Sequence, residues 1–373
     1  MATGISQAVG RPIACFITPH GYGHAARACA VMAALLVRQP GTHFHVFTRV
    51  PEWFFLSTLG GAVAHHDLLT DIGLAQKTAL SEDVAETVRR LGRLVPFDRD
   101  LVGRLAQQLR DAGCRLVICD IAPLGIAVAR EAGIPSLLVE NFTWDWIYEG
   151  YLAQDERLRG YIDSLADVFQ CADYRIQTEP VSRRALCDLT VAPVSRTSRA
   201  PSPDIKRQLG IPEDAGMVLV TMGGFSWQYR FLDLLASRPD VHFVVPGAGN
   251  GRTGQGALPD NLVPLPNQSG FFHPDLVNAA DAVIGKVGYS TVAEVYWSGV
   301  AFGYVPRPQF RESQALVEFV EREIGGLPIS DAEFDDGGWM SLLPDLLARP
   351  RVARAGMNGA EQIAQFVDDL LRR

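Results

Sequence analysis

Two stretches of this chain carry residues whose types and spacing can do chemistry. The first is Gly285-Lys286-Val287-Gly288-Tyr289-Ser290-Thr291-Val292-Ala293-Glu294. The apolar run before it, 281–284, reads as a buried strand. Residues 292–299 after it read as a helix capped by Ser290 or Thr291. A strand, a tight glycine turn and a helix N-terminus together form an anion site, because the turn's N–H groups lack partners and the helix dipole favours negative charge there. Lys286 stands before the turn, within reach of a phosphate. Glu294 lies about one turn into the helix, where a carboxylate can accept two hydrogen bonds from a ribose diol.

The second stretch is His20-Gly21-Tyr22-Gly23-His24. An apolar run at 12–19 leads into it, a helix is expected over 25–37, and β character resumes at 43–48. Gly21 and Gly23 let the backbone turn sharply and approach a ligand. His24 opens the helix, and Arg27, one turn on, is expected to face the same opening. Imidazole titrates near neutral pH and suits proton transfer; His20 is the alternative base. Asp120 closes an apolar strand at 116–120, on the same carboxyl edge of a parallel sheet. Each reading has a plainer counterpart: His24 as a helix-start residue, Asp120 as a strand-end cap, Glu294 as a solvated surface acid.

The elements that must position these residues follow in order. A helix at 122–132 and a strand at 134–139 continue the first α/β pattern, which then leaves the sheet through Asn141-Phe142-Thr143-Trp144-Asp145. Those aromatics line a sugar or aglycone pocket, or else plug the core. One or two amphipathic helices are expected over 80–109, broken at Pro96. Residues 192–206, rich in Pro, Ser and Arg, read as a linker. A second α/β pattern follows, with strands at 217–222, 242–245 and 262–265, a glycine turn holding Gly224 and Ser226, a loop at 267–273 with Phe271 and Phe272, and a helix at 276–280. The expected fold class is α/β, with two doubly wound Rossmann-like domains at 1–195 and 207–350. A final helix within 351–373 is expected to pack back on the first domain.

With 373 residues the chain is long enough for two cores. A net charge of −8 advertises no basic face for nucleic acid. The 6 cysteines lack C-x-x-C spacing, which suits a reducing compartment. No apolar leader and no long apolar span stand out, so a cytoplasmic protein without a transmembrane segment is expected. Asp98-Arg99-Asp100 is formally a D-x-D, but it sits in a charged helical stretch and reads as a solvated face. His65 and His66 read as surface or structural residues. No His/Asp/Glu cluster has metal spacing, so no metal is expected. Nothing in the sequence fixes the oligomeric state.

Two such domains, expected to face each other across a cleft, resemble the GT-B nucleotide-sugar glycosyltransferases. The likeness covers most of the chain. It is sharpest at Gly21-Tyr22-Gly23-His24-Ala25-Ala26-Arg27, at Gly288-Tyr289-Ser290-Thr291-Val292-Ala293-Glu294 and at Gln309-Phe310-Arg311-Glu312-Ser313-Gln314. Gly285-Lys286-Val287-Gly288-Tyr289 and the 141–145 segment look like the glycosyltransferase-like amino-terminal region of arabinose kinases and its bacterial relatives. The kinase activity itself is not expected to carry over.

The resemblance implies a transferase that moves a sugar from a nucleotide donor, UDP favoured, to a hydroxyl of a small-molecule or glycan acceptor. Inversion is expected, with no cofactor or metal. His24 would be general base and Asp120 its orienting acid. Gly224, Ser226, Lys286, Gly288, Tyr289, Ser290 and Thr291 would hold the diphosphate. Glu294 would take the ribose, Phe271 or Phe272 the base, and Gln309, Glu312 and Gln314 the sugar. Asn141, Trp144 and Asp145 would line the acceptor side. A nucleotide-sugar hydrolase or epimerase on the same fold, and an inactive binding module, are the alternatives.

Overall fold

Strands in this chain read as unbroken apolar runs because both faces of each sheet are covered. In the first sheet β1 (Ile13–Ile17), β4 (Val117–Asp120) and β5 (Ser136–Glu140) are buried at every position. The computed structural model describes residues 12–78, 81–223, 228–248, 258–266 and 268–372. They form two compact units. One is built from residues up to Lys77, from Ser81–Val194 and from Met357 onward; the other is built from Ser195–Gly356.

The first unit holds a seven-stranded sheet. Its other strands are β2 (Phe44–Thr48), β3 (Val63–Asp67), β6 (Tyr174–Thr178) and β7 (Leu189–Val191). The order is β3-β2-β1-β4-β5-β6-β7, with neighbours parallel throughout. Strand order reverses between β1 and β4, where Ile17 pairs with Asp120. Three helices leave the carboxyl edge: α1 (Tyr22–Arg38), α2 (Pro123–Ala132) and α3 (Trp144–Glu149). Helix α1 begins earlier than the sequence reading of 25–37, which puts His24 inside its first turn. Between β3 and β4 lie two helices, Val84–Leu94 and Arg99–Asp111. Asp98 caps the second by accepting from the N–H groups of Asp100 and Leu101, so the D-x-D is a helix start.

The second unit repeats the scheme with a six-stranded parallel sheet. Its strands are β8 (Gly216–Thr221), β9 (Val241–Pro246), β10 (Leu262–Leu265), β11 (Ala282–Lys286), β12 (Ala301–Val305) and β13 (Leu327–Pro328), in the order β10-β9-β8-β11-β12-β13. The reversal falls between β8 and β11, where Thr221 pairs with Gly285. The helices that matter for chemistry are α4 (His273–Ala279), α5 (Tyr289–Ser298) and α6 (Glu312–Phe319). Fully buried Phe231 and Trp339 meet edge to face at 5.2 Å in the core, the geometry aromatic quadrupoles favour. The expected linker is not featureless, since it contains a helix at Ser202–Gln208.

The last helix, α7 (Gly359–Leu371), belongs to the first unit. Its Asp368 accepts from Gln39 at 2.7 Å, just past the end of α1. Among the described residues no helix is long and apolar enough to cross a membrane.

Candidate functional site

Site residues gather at the reversal points of the two sheets, the places where a doubly wound sheet opens a crevice. In the first unit β1 ends at Ile17 and the chain turns through Gly21, whose φ of 72° a side chain would disfavour. Gly23 lies in the first turn of α1. Arg27 shares the His24 face of that helix, with Nη2 3.3 Å from His24 Nδ1. It is only 1% exposed. Its Nε donates to Asp120 Oδ2 at 2.8 Å and its Nη2 to Oδ1 at 2.7 Å. Its Nη1 donates to Asn141 Oδ1 at 2.6 Å.

His24 Nδ1 lies 3.0 Å from Asp120 Oδ1. Asp120 is buried. Burial alone would raise its pKa, but the Arg27 charge and the hydrogen bonds of Arg27 and His24 outweigh it and hold the carboxyl below the ordinary carboxylate range. An ionised carboxylate only accepts, so Nδ1 must carry the proton and Nε2 is left with a lone pair. Directly after Asp120, Ile121 has a φ of 43°, an uncommon and costly conformation for a β-branched residue. It makes an isolated bridge to Ile17 and fixes the end of β4 against β1.

The aromatic segment after β5 is a wall of this site. Trp144 is fully buried and packs beside His20 at 5.2 Å, His24 at 6.4 Å and Tyr148 at 6.0 Å. Phe142 meets the His24 ring edge-on at 5.9 Å. Asn141 lies behind Arg27, and Asp145 is buried as well. Asn141, Trp144 and Asp145, read from the sequence as pocket lining or as core, are all buried here, Asn141 held by the Arg27 guanidinium. His20 packs on Trp144, whereas His24 has the acid, and this separates the two histidines. His65 Nε2 donates to the Val50 carbonyl oxygen at 2.8 Å and has a structural role.

In the second unit the sequence expectation of a Ser290 or Thr291 cap is also corrected. Helix α5 starts at Tyr289 with Gly288 as N-cap, and no side chain caps it. Ser290 and Thr291 lie in the first turn, whose N–H groups point along the axis toward the turn. Lys286 is the last residue of β11. Glu294 is buried, with Arg196 Nη2 at 3.1 Å from Oε1 and His273 Nδ1 at 2.7 Å from Oε2. Burial opposes its ionisation, yet His273 and Arg196 win and lower its pKa. Phe272 carries Arg199 at 4.2 Å and Arg196 at 4.9 Å over its ring, while Phe271 is half-buried beside it.

Arg196, Arg199 and His273 were missed in the sequence. The two arginines sit in what reads as a linker, and the only signal for His273 is its place at the end of the 267–273 loop. In the third motif Glu312 is buried, whereas Gln309 and Gln314 are exposed, and Gln314 donates to Glu318 at 3.0 Å. Gly224 and Ser226 lie outside the described residues. Among the described residues no three His, Cys, Asp or Glu side chains are grouped to hold a metal ion.

No protein-family model matches the chain. It is 26% identical over 361 residues to the L-arabinokinase of Arabidopsis thaliana, an alignment covering 95% of this chain and 34% of that protein. The chain thus spans about a third of that relative's length. It is 25% identical over 276 residues to an uncharacterized glycosyltransferase of Methanopyrus kandleri, covering 69% of this chain and 76% of the relative. Among solved structures, the glycotransferase of kitacinnamycin superposes with a TM-score of 0.64 at 18% identity, over 97% of this chain and 98% of that one. The chain has the GT-B fold of its glycosyltransferase neighbours.

Proposed function

We propose that the protein is a glycosyltransferase that moves a sugar from a nucleoside diphosphate donor, a UDP-sugar first among candidates, to an acceptor hydroxyl with inversion. The observation that carries this reading is the His24–Asp120 contact of 3.0 Å at the reversal point of the first sheet. Nε2 of His24 removes the acceptor proton as the oxygen attacks the anomeric carbon, and Asp120 holds the imidazole tautomer and offsets the charge that forms. Glu294 accepts the ribose hydroxyls through lone pairs that Arg196 and His273 leave open. N–H groups at the start of α5, with Lys286, meet the charge of the departing diphosphate, and Gly224 and Ser226 would add to them. No resident metal is needed for that stabilisation. Gln309, Glu312 and Gln314 read the donor sugar, and Phe271 and Phe272 edge the base. The described cysteines are all free thiols, in keeping with a reducing, cytoplasmic setting.

The test is incubation with UDP-, dTDP- and GDP-sugars, first alone and then with a panel of hydroxyl acceptors, followed by mass spectrometry and thermal shift. A donor that stabilises the protein, stays intact alone and is consumed when an acceptor is added supports transfer. Rapid His24-dependent release of free sugar without acceptor would move the assignment to a hydrolase. Absence of any stabilising donor would overturn it.

A further inference from the structure

Behind the His24 loop, the segment that follows β3 is fastened to the loop's root. Thr70 Oγ1 donates to the Ile17 carbonyl at 2.8 Å, and Thr18 Oγ1 donates to Asp71 Oδ1 at 2.6 Å. His20 lies so close over Gly73 that a Cβ there would sit 2.7 Å from its Nδ1. Tyr148 of α3 donates its hydroxyl to the Gly73 carbonyl at 2.7 Å. Asp71 is 3% exposed and Trp144 fully buried. Asp71 Oδ2 and Trp144 Nε1 are both buried without a hydrogen bond, although the indole N–H is near enough to act on the carboxyl. A spare buried acceptor beside a spare buried donor is costly unless the two can close on each other.

We propose that Asp71 is a positioning residue for the His24 base: it grips the root of the loop through Thr18, and its second oxygen draws the Trp144 wall onto the imidazole. The proposal rests on the transfer reading above. Burial pushes the Asp71 carboxyl up to about 7, against the Thr18 hydroxyl and the nearby Trp144 indole N–H; the Asp120 charge adds to the rise and the Gly73 N–H opposes it. The titratable groups that face it are Asp120 from β4, Tyr148 from α3 and His20 above Gly73. Ionisation leaves Oδ2 a pure acceptor, which the indole N–H can meet. Because the folded pKa is raised, Asp71's contribution to stability is full below the unfolded value near 3.8 and is lost as pH rises through about 7.

The test compares wild type with Asp71→Asn, Thr18→Val, their double variant and Trp144→Phe. In wild type, indole emission and kcat should both show a transition near pH 7, the value to which burial lifts the carboxyl. Asp71→Asn should lose the emission transition, with kcat down about tenfold and donor KM within about twofold. Its Tm relative to wild type should rise between about pH 4 and about pH 7 and level off above that. Thr18→Val should lower kcat similarly, and the double variant should fall no further than the worse single. Trp144→Phe should lack the emission transition. If no acceptor supports transfer, the functional reading falls while emission and Tm still decide the Asp71 placement. If transfer occurs and the Asp71→Asn profiles overlay wild type, or the two single losses add, the Asp71 proposal alone falls.

Discussion

Arg27 grips Asp120 with a two-pronged fork, at 2.8 Å through Nε and 2.7 Å through Nη2, and the same carboxylate holds His24 at 3.0 Å. The fork explains how an acid so deeply buried stays ionised. Arg27→Met removes the cation and leaves the charge buried and unpaired, a loss of about 3–5 kcal/mol. Arg27→Lys keeps the charge but not the fork, and should fall between. Denaturant unfolding checks this; a Met variant as stable as wild type would show that the fork contributes nothing net.

Transfer should fall by about 10²–10⁴-fold in His24→Ala, the usual worth of a positioned acid or base. Nucleotide affinity should stay within a few-fold, because the donor groups named above lie in the second unit. Calorimetry with UDP and an initial-rate assay give the two numbers separately. Normal turnover would move the base elsewhere, with His20 next in line.

Loss of the Glu294 carboxylate acts twice. Glu294→Ala should weaken nucleotide binding by roughly 1–3 kcal/mol, the scale of hydrogen bonds to a charged group. It also strips Arg196 and His273 of their shared partner, so the variant should melt lower than wild type even without ligand. The folded pKa of Glu294 is below its ordinary value of 4.5. Its stabilisation is therefore complete above that value and is lost as pH falls through the lower folded pKa. Glu294→Gln should flatten the acid limb of the stability curve below about pH 4.5, and an unchanged limb with unchanged UDP affinity would refute both roles.

Gly285 is needed for packing. A Cβ built there would lie 2.1 Å from the Thr221 carbonyl oxygen, on the paired strand. Backbone cannot yield as a flexible side chain does, so Gly285→Ala should cost at least the 1–3 kcal/mol typical of overpacking. It should also weaken nucleotide binding by shifting the start of α5. A thermal melt and a UDP titration measure both, and an Ala variant with wild-type values in each would show that β8 and β11 part readily.

The sequence by itself determined the two parallel sheets, because strands covered on both faces must be continuous apolar runs and the helices between them carry their own caps and periodicity. It also located His24, Asp120, Lys286 and Glu294, since glycine turns and strand ends mark the carboxyl edge of such a sheet. What only the tertiary structure decided was partnership. Arg27 reads only as a neighbour of the His24 opening until Asp120 and Asn141, far off in the chain, are seen to enclose it. Arg196 reads as linker until it meets Glu294, and Asp71 lies in a region with no local pattern at all. The Trp144 segment, equally fit for a pocket or a core, is shown to be buried against the histidine loop. Local pattern reports what a residue can do within a few positions along the chain. Ion pairs and buried hydrogen bonds depend on which strands lie side by side, and no local periodicity encodes that.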